Sequence, residues 1–317
     1  MIIDCFCHHI SDAVGKLVSK TKYYGEGREF PYPTQNADPE IRLSVMEKYG
    51  IDAQAISQTT PVLLGLNDED AMEACRLSNQ DNYSLCKSYP EKFFNVCMFH
   101  LPDMKGSMDE LKRAVNELDC RAVTIATNQS GRGLDDEAFF PFYEKAAEHD
   151  LPILLHGTHW EASPLMDMEN AWRFMHIFGW DYDSTQAVWR LIFGGVLDRF
   201  PTLKIVTHHL GNYFPFFVTR IEKNFEWQLQ DYLPKHISEY YGNIYGDTAV
   251  DGTPGAYGCG YAFFGAERMM YGSDYPFGPE AGEDFVRENL AGVKALAIPE
   301  SEKKKILGEN AKKLFKI

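Results

Sequence analysis

The stretch Tyr271-Gly272-Ser273-Asp274-Tyr275-Pro276-Phe277 closes a short apolar run, residues 268–272, with one carboxylate and then turn-forming residues. Two earlier runs stop in the same way: Leu151-Pro152-Ile153-Leu154-Leu155-His156-Gly157, and Leu203-Lys204-Ile205-Val206-Thr207-His208-His209-Leu210-Gly211. By length and apolar content each is a short buried strand that ends on a histidine or a carboxylate. The opening run Met1-Ile2-Ile3-Asp4-Cys5-Phe6-Cys7-His8-His9 has the same form. Four strand ends that all carry ligand-type side chains point to one rim, which is where a parallel barrel places its chemistry.

Helical stretches separate the strands. Asp38-Pro39 reads as an N-cap followed by the first helical residue, Ile41, Val45 and Met46 form the apolar stripe, and Gly50 ends the helix. Further strands are predicted at 51–57, 92–99, 120–126 and, more weakly, 243–247. Helices are predicted over 68–88, 107–118, 135–149, 184–194, 213–230, 279–296 and 301–315. Residues 11–37 lack a period and read as an insertion over the barrel mouth or a subunit contact. Residues 157–183 are rich in Trp, Met and Phe and read as a roof over a pocket or a surface buried by another subunit. Glycines at 252, 255, 258, 260 and 265 leave the connection after the seventh strand without a clear element. The alternation as a whole predicts an α/β fold, a (β/α)8 TIM barrel with a small N-terminal insertion and C-terminal helices, in one domain over 1–317.

The chain has 317 residues, 44% of them hydrophobic, enough for such a barrel. With 31 Lys+Arg against 46 Asp+Glu it carries −15, which argues against nucleic acid as a partner. No apolar run is long enough to span a membrane and no signal-like segment opens the sequence, so a cytoplasmic enzyme is expected. The seven cysteines are scattered and odd in number, so they read as buried thiols and not as a disulfide frame.

A divalent metal bound by imidazole nitrogen and carboxylate oxygen needs three or four such groups around one point, with a position left open. His8, His156 and Asp274 are the predicted ligands, at strands one, five and eight. One of His208 and His209, at strand six, is the predicted acid/base beside the metal-bound water. Neighbours in a strand point to opposite sides, so only one of that pair is expected to face the pocket. By the same alternation Cys7 faces the helices if His8 faces the metal, although another register would turn Cys7 or His9 inward.

Leu155-His156-Gly157, His209-Leu210-Gly211, Gly272-Ser273-Asp274-Tyr275-Pro276-Phe277 and Ile306-Leu307-Gly308-Glu309-Asn310-Ala311, in this order after a first strand ending near a histidine, resemble the aminocarboxymuconate-semialdehyde decarboxylase family of the amidohydrolase superfamily. The resemblance spans essentially the whole chain. It implies a metal-dependent barrel enzyme, most members being non-oxidative decarboxylases of unsaturated or aromatic carboxylates and some being hydratases or hydrolases. It selects His209 as the acid/base, with Asp274 sharing the catalytic site, and implies one divalent ion, zinc in first place and manganese in second. In the family the first strand usually offers two histidines one residue apart; here Phe6 stands at the first of those places. Arg220 matches an arginine that reaches a substrate carboxylate, in some members across a dimer interface, and a homodimer is expected. Phe6, His159, Trp160 and Arg220 are the candidates to touch a small carboxylate substrate. The rival readings are a hydrolase of a carbon–carbon, lactone or amide bond and a barrel that has lost its metal and its catalysis.

Overall fold

The computed structural model describes residues 1–9, 12–19, 21, 38–158 and 174–317. Seven parallel strands form one sheet in sequence order: β1 (Ile3–His8), β2 (Ala53–Ser57), β3 (Phe93–Met98), β4 (Cys120–Ala126), β5 (Ile153–His156), β6 (Ile205–Thr207) and β7 (Ile244–Gly246). Between them lie α1 (Asp12–Val18), α2 (Pro39–Tyr49), α3 (Asp68–Ser88), α4 (Met104–Glu117), α5 (Phe140–Glu148), α6 (Trp180–Phe193), α7 (Val196–Arg199) and α8 (Phe214–Asn224). After β7 come α9 (Pro254–Arg268), α10 (Glu283–Ala295), α11 (Glu300–Lys304) and α12 (Asn310–Phe315).

The helix signals act as their chemistry requires. Asp38 accepts from Glu40 N at the start of α2, Pro39 opens it and Gly50 closes it at φ 70°. Asp103 accepts from Gly106 N, so α4 starts ahead of the expected Ser107. Asp12–Val18, expected to lie outside the core, forms a helix whose Val14 and Val18 are buried with Val62, Met72, Cys75 and Met98. The rest of the expected insertion over 22–37 lies outside the described residues. The glycine-rich stretch after β7 is largely helix α9, and Gly260 explains its composition: a Cβ there would fall 2.4 Å from Leu210 Cγ. The absent side chain lets α9 close on the loop that follows β6.

The eighth strand expected at 268–272 is not a regular strand. Only Met269 forms a bridge, to Gly246. The extended segment nevertheless bonds to both edges of the sheet: Met270 N donates to Gly246 O at 2.9 Å, while Cys5 N donates to Tyr271 O at 2.8 Å and His8 N to Tyr275 O at 2.7 Å. Asp4, fully buried, fastens this seam: it accepts from Ser273 N at 3.0 Å, Ser273 Oγ at 2.6 Å and Gln54 Nε2 at 3.2 Å. Gln54 in turn accepts from the buried guanidinium of Arg42 at 3.1 Å, and Arg42 also donates to the carbonyl of His8.

Residues from the strands, among them Phe6, Phe94, Val96, Ala122, Leu154 and Val206, form an inner cluster completed by Ala311, Leu314 and Phe315 of α12. The C-terminal helix therefore packs into the same cluster as the strand side chains. Asn310 holds it there, donating to Ala266 O at 2.6 Å and Met269 O at 2.8 Å. Among the described residues no helix is long and apolar enough to cross a membrane.

Asn310→Ala leaves two inward carbonyls without a donor and is expected to cost about 2–3 kcal/mol in urea unfolding; a change below about 0.5 kcal/mol would refute that role. Burial pushes the Asp4 carboxyl up from 3.8 to about 6 against the donors around it. A raised carboxyl contributes stability that is full below pH 3.8 and is lost as pH rises through about 6, by up to roughly 3 kcal/mol. The stability gap between wild type and Asp4→Asn should therefore narrow from pH 4 to 7; a gap that is constant or widens over this range counts against it.

Candidate metal centre

His8 is the last residue of β1, His156 the last of β5, and His208 follows β6 directly. One ring nitrogen from each of these three lies within 4.8 Å of the others, and a second grouping at the same spacing joins His208, His209 and Asp274. His8, His156 and His208 are buried, and Asp274 keeps 16% of its side chain exposed. Asp274 Oδ1 stands 3.0 Å from His8 Nε2 and 3.3 Å from His208 Nε2.

The expectation that only one of His208 and His209 faces the pocket is corrected. β6 ends at Thr207, and the backbone turns left-handed at His209 (φ 53°), Leu210 (54°), Gly211 (78°) and Asn212 (58°). Strand alternation no longer applies there, and the two rings stack with centroids 3.8 Å apart. Asp274 is also left-handed, at φ 64°. Non-glycine residues held in that region cost on the order of 1–3 kcal/mol each and gather at functional sites.

Hydrogen bonding sets the tautomers. Ser57 Oγ donates to Cys7 O at 2.8 Å, so it can only accept from His8 Nδ1, 3.2 Å away. His156 Nδ1 donates to Gly157 O at 2.8 Å and His209 Nδ1 to Ala249 O at 2.6 Å. His208 Nδ1 meets the buried carboxylate of Asp247. Each of the four rings thus spends Nδ1–H on an acceptor and leaves Nε2 for chemistry, the arrangement found behind metal-bound imidazoles. His8 Nε2 is buried and makes no well-directed hydrogen bond despite its closeness to Asp274.

The electrostatics suit a cation. Burial lowers His8 against the pull of Asp274, and burial with the neighbouring His8 and His208 holds His156 well below its usual range. Burial also presses on His208, but Asp247 and Asp274 outweigh it and push the ring up to about 10. Asp274, raised by burial, is held well below the carboxylate range by His208 and His8. Burial thus disfavours a charge on His8 and His156, while the carboxyl groups of Asp247 and Asp274 lie among the imidazoles. Imidazole and carboxylate donors are those that zinc and comparable divalent ions accept, so the residues present fit a metal.

The other expected residues fall as follows. Phe6 is fully buried, its ring stacked on His208 with centroids 3.9 Å and planes 10° apart. Cys7 and His9 join neither grouping; Cys7 packs outward and donates to Ala55 O at 2.9 Å. Arg220 is exposed on α8 with its guanidinium over the Phe217 ring, and makes no ion pair among the described residues. His159 and Trp160 lie outside the described residues, as does most of the expected aromatic roof. Gly157 gives Trp180 room to approach: a Cβ at 157 would lie 2.6 Å from Trp180 Cβ, and the Trp180 ring sits edge-on to His156 at 6.2 Å. A cavity of about 360 Å³ opens beside His209, walled by Leu210, Asn212, Pro215, Phe216 and Val250. Asp247 was not singled out in the sequence and His208 only as the alternative to His209, although Asp247 follows β7 just as His208 follows β6 and could have been found by the same rule.

The amidohydrolase family model matches residues 3–317. The 2-amino-3-carboxymuconate-6-semialdehyde decarboxylase of Dictyostelium discoideum is 28% identical over 298 residues, covering 92% of this chain and 80% of its own. The gamma-resorcylate decarboxylase of a Rhizobium species is 25% identical, covering 88% of this chain and 87% of its own. Among solved structures, the 5-carboxyvanillate decarboxylase of Novosphingobium aromaticivorans, complexed with manganese and 4-hydroxy-3-methoxy-5-nitrobenzoic acid, superposes with a TM-score of 0.88 at 24% identity, covering 100% of this chain and 96% of its own. From its first strand to its last helix, the chain belongs to the amidohydrolase family.

Proposed function

We propose that this protein is a metal-dependent non-oxidative decarboxylase of an unsaturated or aromatic carboxylate, built on a (β/α)8 barrel in which the segment after α9 serves as the eighth stave. The observation that carries the reading is the meeting of His8 and His156 with His208, and of His208 with Asp274 and His209, at one rim, Asp274 standing 3.0 Å from His8 and His209 bordering an apolar cavity. The decarboxylase relatives support the reaction class.

His8, His156 and Asp274 would hold the ion. Bound there, a divalent cation would supply Lewis acidity toward an oxygen of the substrate carboxylate. Zinc accepts this donor set readily, and manganese, present in the 5-carboxyvanillate enzyme, is the second candidate. The cavity walls of Leu210, Pro215, Phe216 and Val250 offer an apolar face to a ring or a conjugated chain. His209, anchored through Nδ1–H on Ala249 O, would act in its imidazolium form, with a second proton on Nε2 presented to the carbon that bears the carboxylate. That carbon takes the proton, its bond to the carboxylate breaks, the electron pair returns to the conjugated system and carbon dioxide leaves. His209 then regains a proton from solvent.

Phe6 would line the floor through the rings stacked on it. Arg220 sits one turn beyond the exposed Phe216 and Phe217 on α8. In a homodimer joined along that face it would serve a partner's substrate carboxylate.

Wild-type protein purified without chelator should carry close to one equivalent of zinc or manganese by elemental analysis. His8→Ala, His156→Ala and Asp274→Ala should each lose most of it, and a wild type with under a tenth of an equivalent would sink the reading. His209→Ala should keep the metal while losing roughly 10²- to 10⁴-fold in carbon dioxide release from hydroxybenzoate or muconate-type carboxylates. Equal turnover would remove His209 from its role, and solvent oxygen entering product without gas release would replace decarboxylation with hydrolysis.

A further inference from the structure

We infer that His208 is a fourth ligand of the metal, standing in for the imidazole that Phe6 does not provide, and that Asp247 is the positioning residue that aims it. The inference rests on the metal-dependent reading above and adds to its ligand set a residue that the family motif does not select.

Phe6 is where the first strand would otherwise offer a second nitrogen, and a phenyl ring has none. Its flat face instead lies parallel to the His208 ring at 3.9 Å, fixing the plane of that imidazole. Asp247 fixes the remaining freedom. One of its oxygens accepts from Ala249 N at 3.0 Å, and the other meets His208 Nδ1. The plane and the tautomer of His208 are therefore both set, and Nε2 is directed toward Asp274 Oδ1 at 3.3 Å. Donors about 2.1 Å from one tetrahedral ion lie about 3.4 Å from each other, so that separation is the one ligands to a shared ion adopt.

His208 and His209 are separated by their surroundings. His208 is 1% exposed and belongs to both groupings, with His8 and His156 as well as with Asp274. His209 belongs only to the second, is partly exposed and borders the cavity. The first is placed to hold the ion, which leaves the second free to move a proton. A carboxylate behind a ligating imidazole also raises its basicity, so Asp247 strengthens the bond it orients.

The test uses His208→Asn, in which the amide nitrogen still donates to Asp247 but Nε2 is gone. Chelator competition should give at least a tenfold weaker zinc or cobalt affinity, the scale of loss seen even when an outer-shell partner is removed. The visible spectrum of the cobalt form should change with it. Adding Phe6→His to His208→Asn should recover affinity by restoring an imidazole from β1. Cobalt-loaded wild type offers a second readout that needs no variant to fold. Its proton spectrum should contain three exchangeable, hyperfine-shifted Nδ1–H signals, from His8, His156 and His208. Two signals, or wild-type affinity and spectrum in His208→Asn, would overturn the assignment while leaving the decarboxylase reading intact. A wild type that binds no metal would overturn that reading itself.

Discussion

The carboxylate of Asp4 is the constraint on which the site depends. Its two oxygens collect Ser273 N, Ser273 Oγ and Gln54 Nε2, and through Gln54 it reaches the buried guanidinium of Arg42. These bonds fix β1 against the segment that ends in Asp274, and they do so one residue before the carboxylate that His8 and His208 share. Arg42 also grips the carbonyl of His8, so one polar chain sets the level of two proposed ligands. A buried network of this kind stabilises only when every member is satisfied, which makes it a demanding way to position a pair of side chains and a rigid one.

Above that seam the backbone is forced into conformations that strand or helix would not supply. His209, Leu210, Asn212 and Asp274 all take positive φ. The turn after β6 is held by His209 on Ala249 O and by the Leu210 side chain seated against Gly260 of α9. Because the strain is locked by packing on the outer side, the inner side can present imidazole edges in fixed directions. Preorganisation of this sort lowers the reorganisation needed when charge develops during reaction.

Much of this was legible in the sequence, and the failures have physical causes. Short apolar runs ending in His156 and Asp274 are found by periodicity because burial on both faces removes polar residues from parallel strands. α2 was legible from its caps, since Asp38, Pro39 and Gly50 act locally. His208 was misread because alternation was extended past the last strand residue, where a left-handed turn carries both histidines to the same region. The glycines of α9 suggest a loop until Leu210 is seen filling the space beside Gly260; that is a tertiary contact no local signal encodes. The eighth strand was expected as a regular element, but the edge strands take only scattered bonds from it, and its order comes from Asp4, 269 residues away in sequence.

That separation has a consequence for synthesis. A ribosome releases β1 through β7 before the segment that must lie between the two outermost strands has been made. The emerging intermediate carries two uncovered strand borders and an inner apolar surface still waiting for Phe315, features that invite pairing with other chains. Long-range closure is slow for entropic reasons, so the interval between the seventh strand and the final helix is the one in which the chain is most open to such pairing.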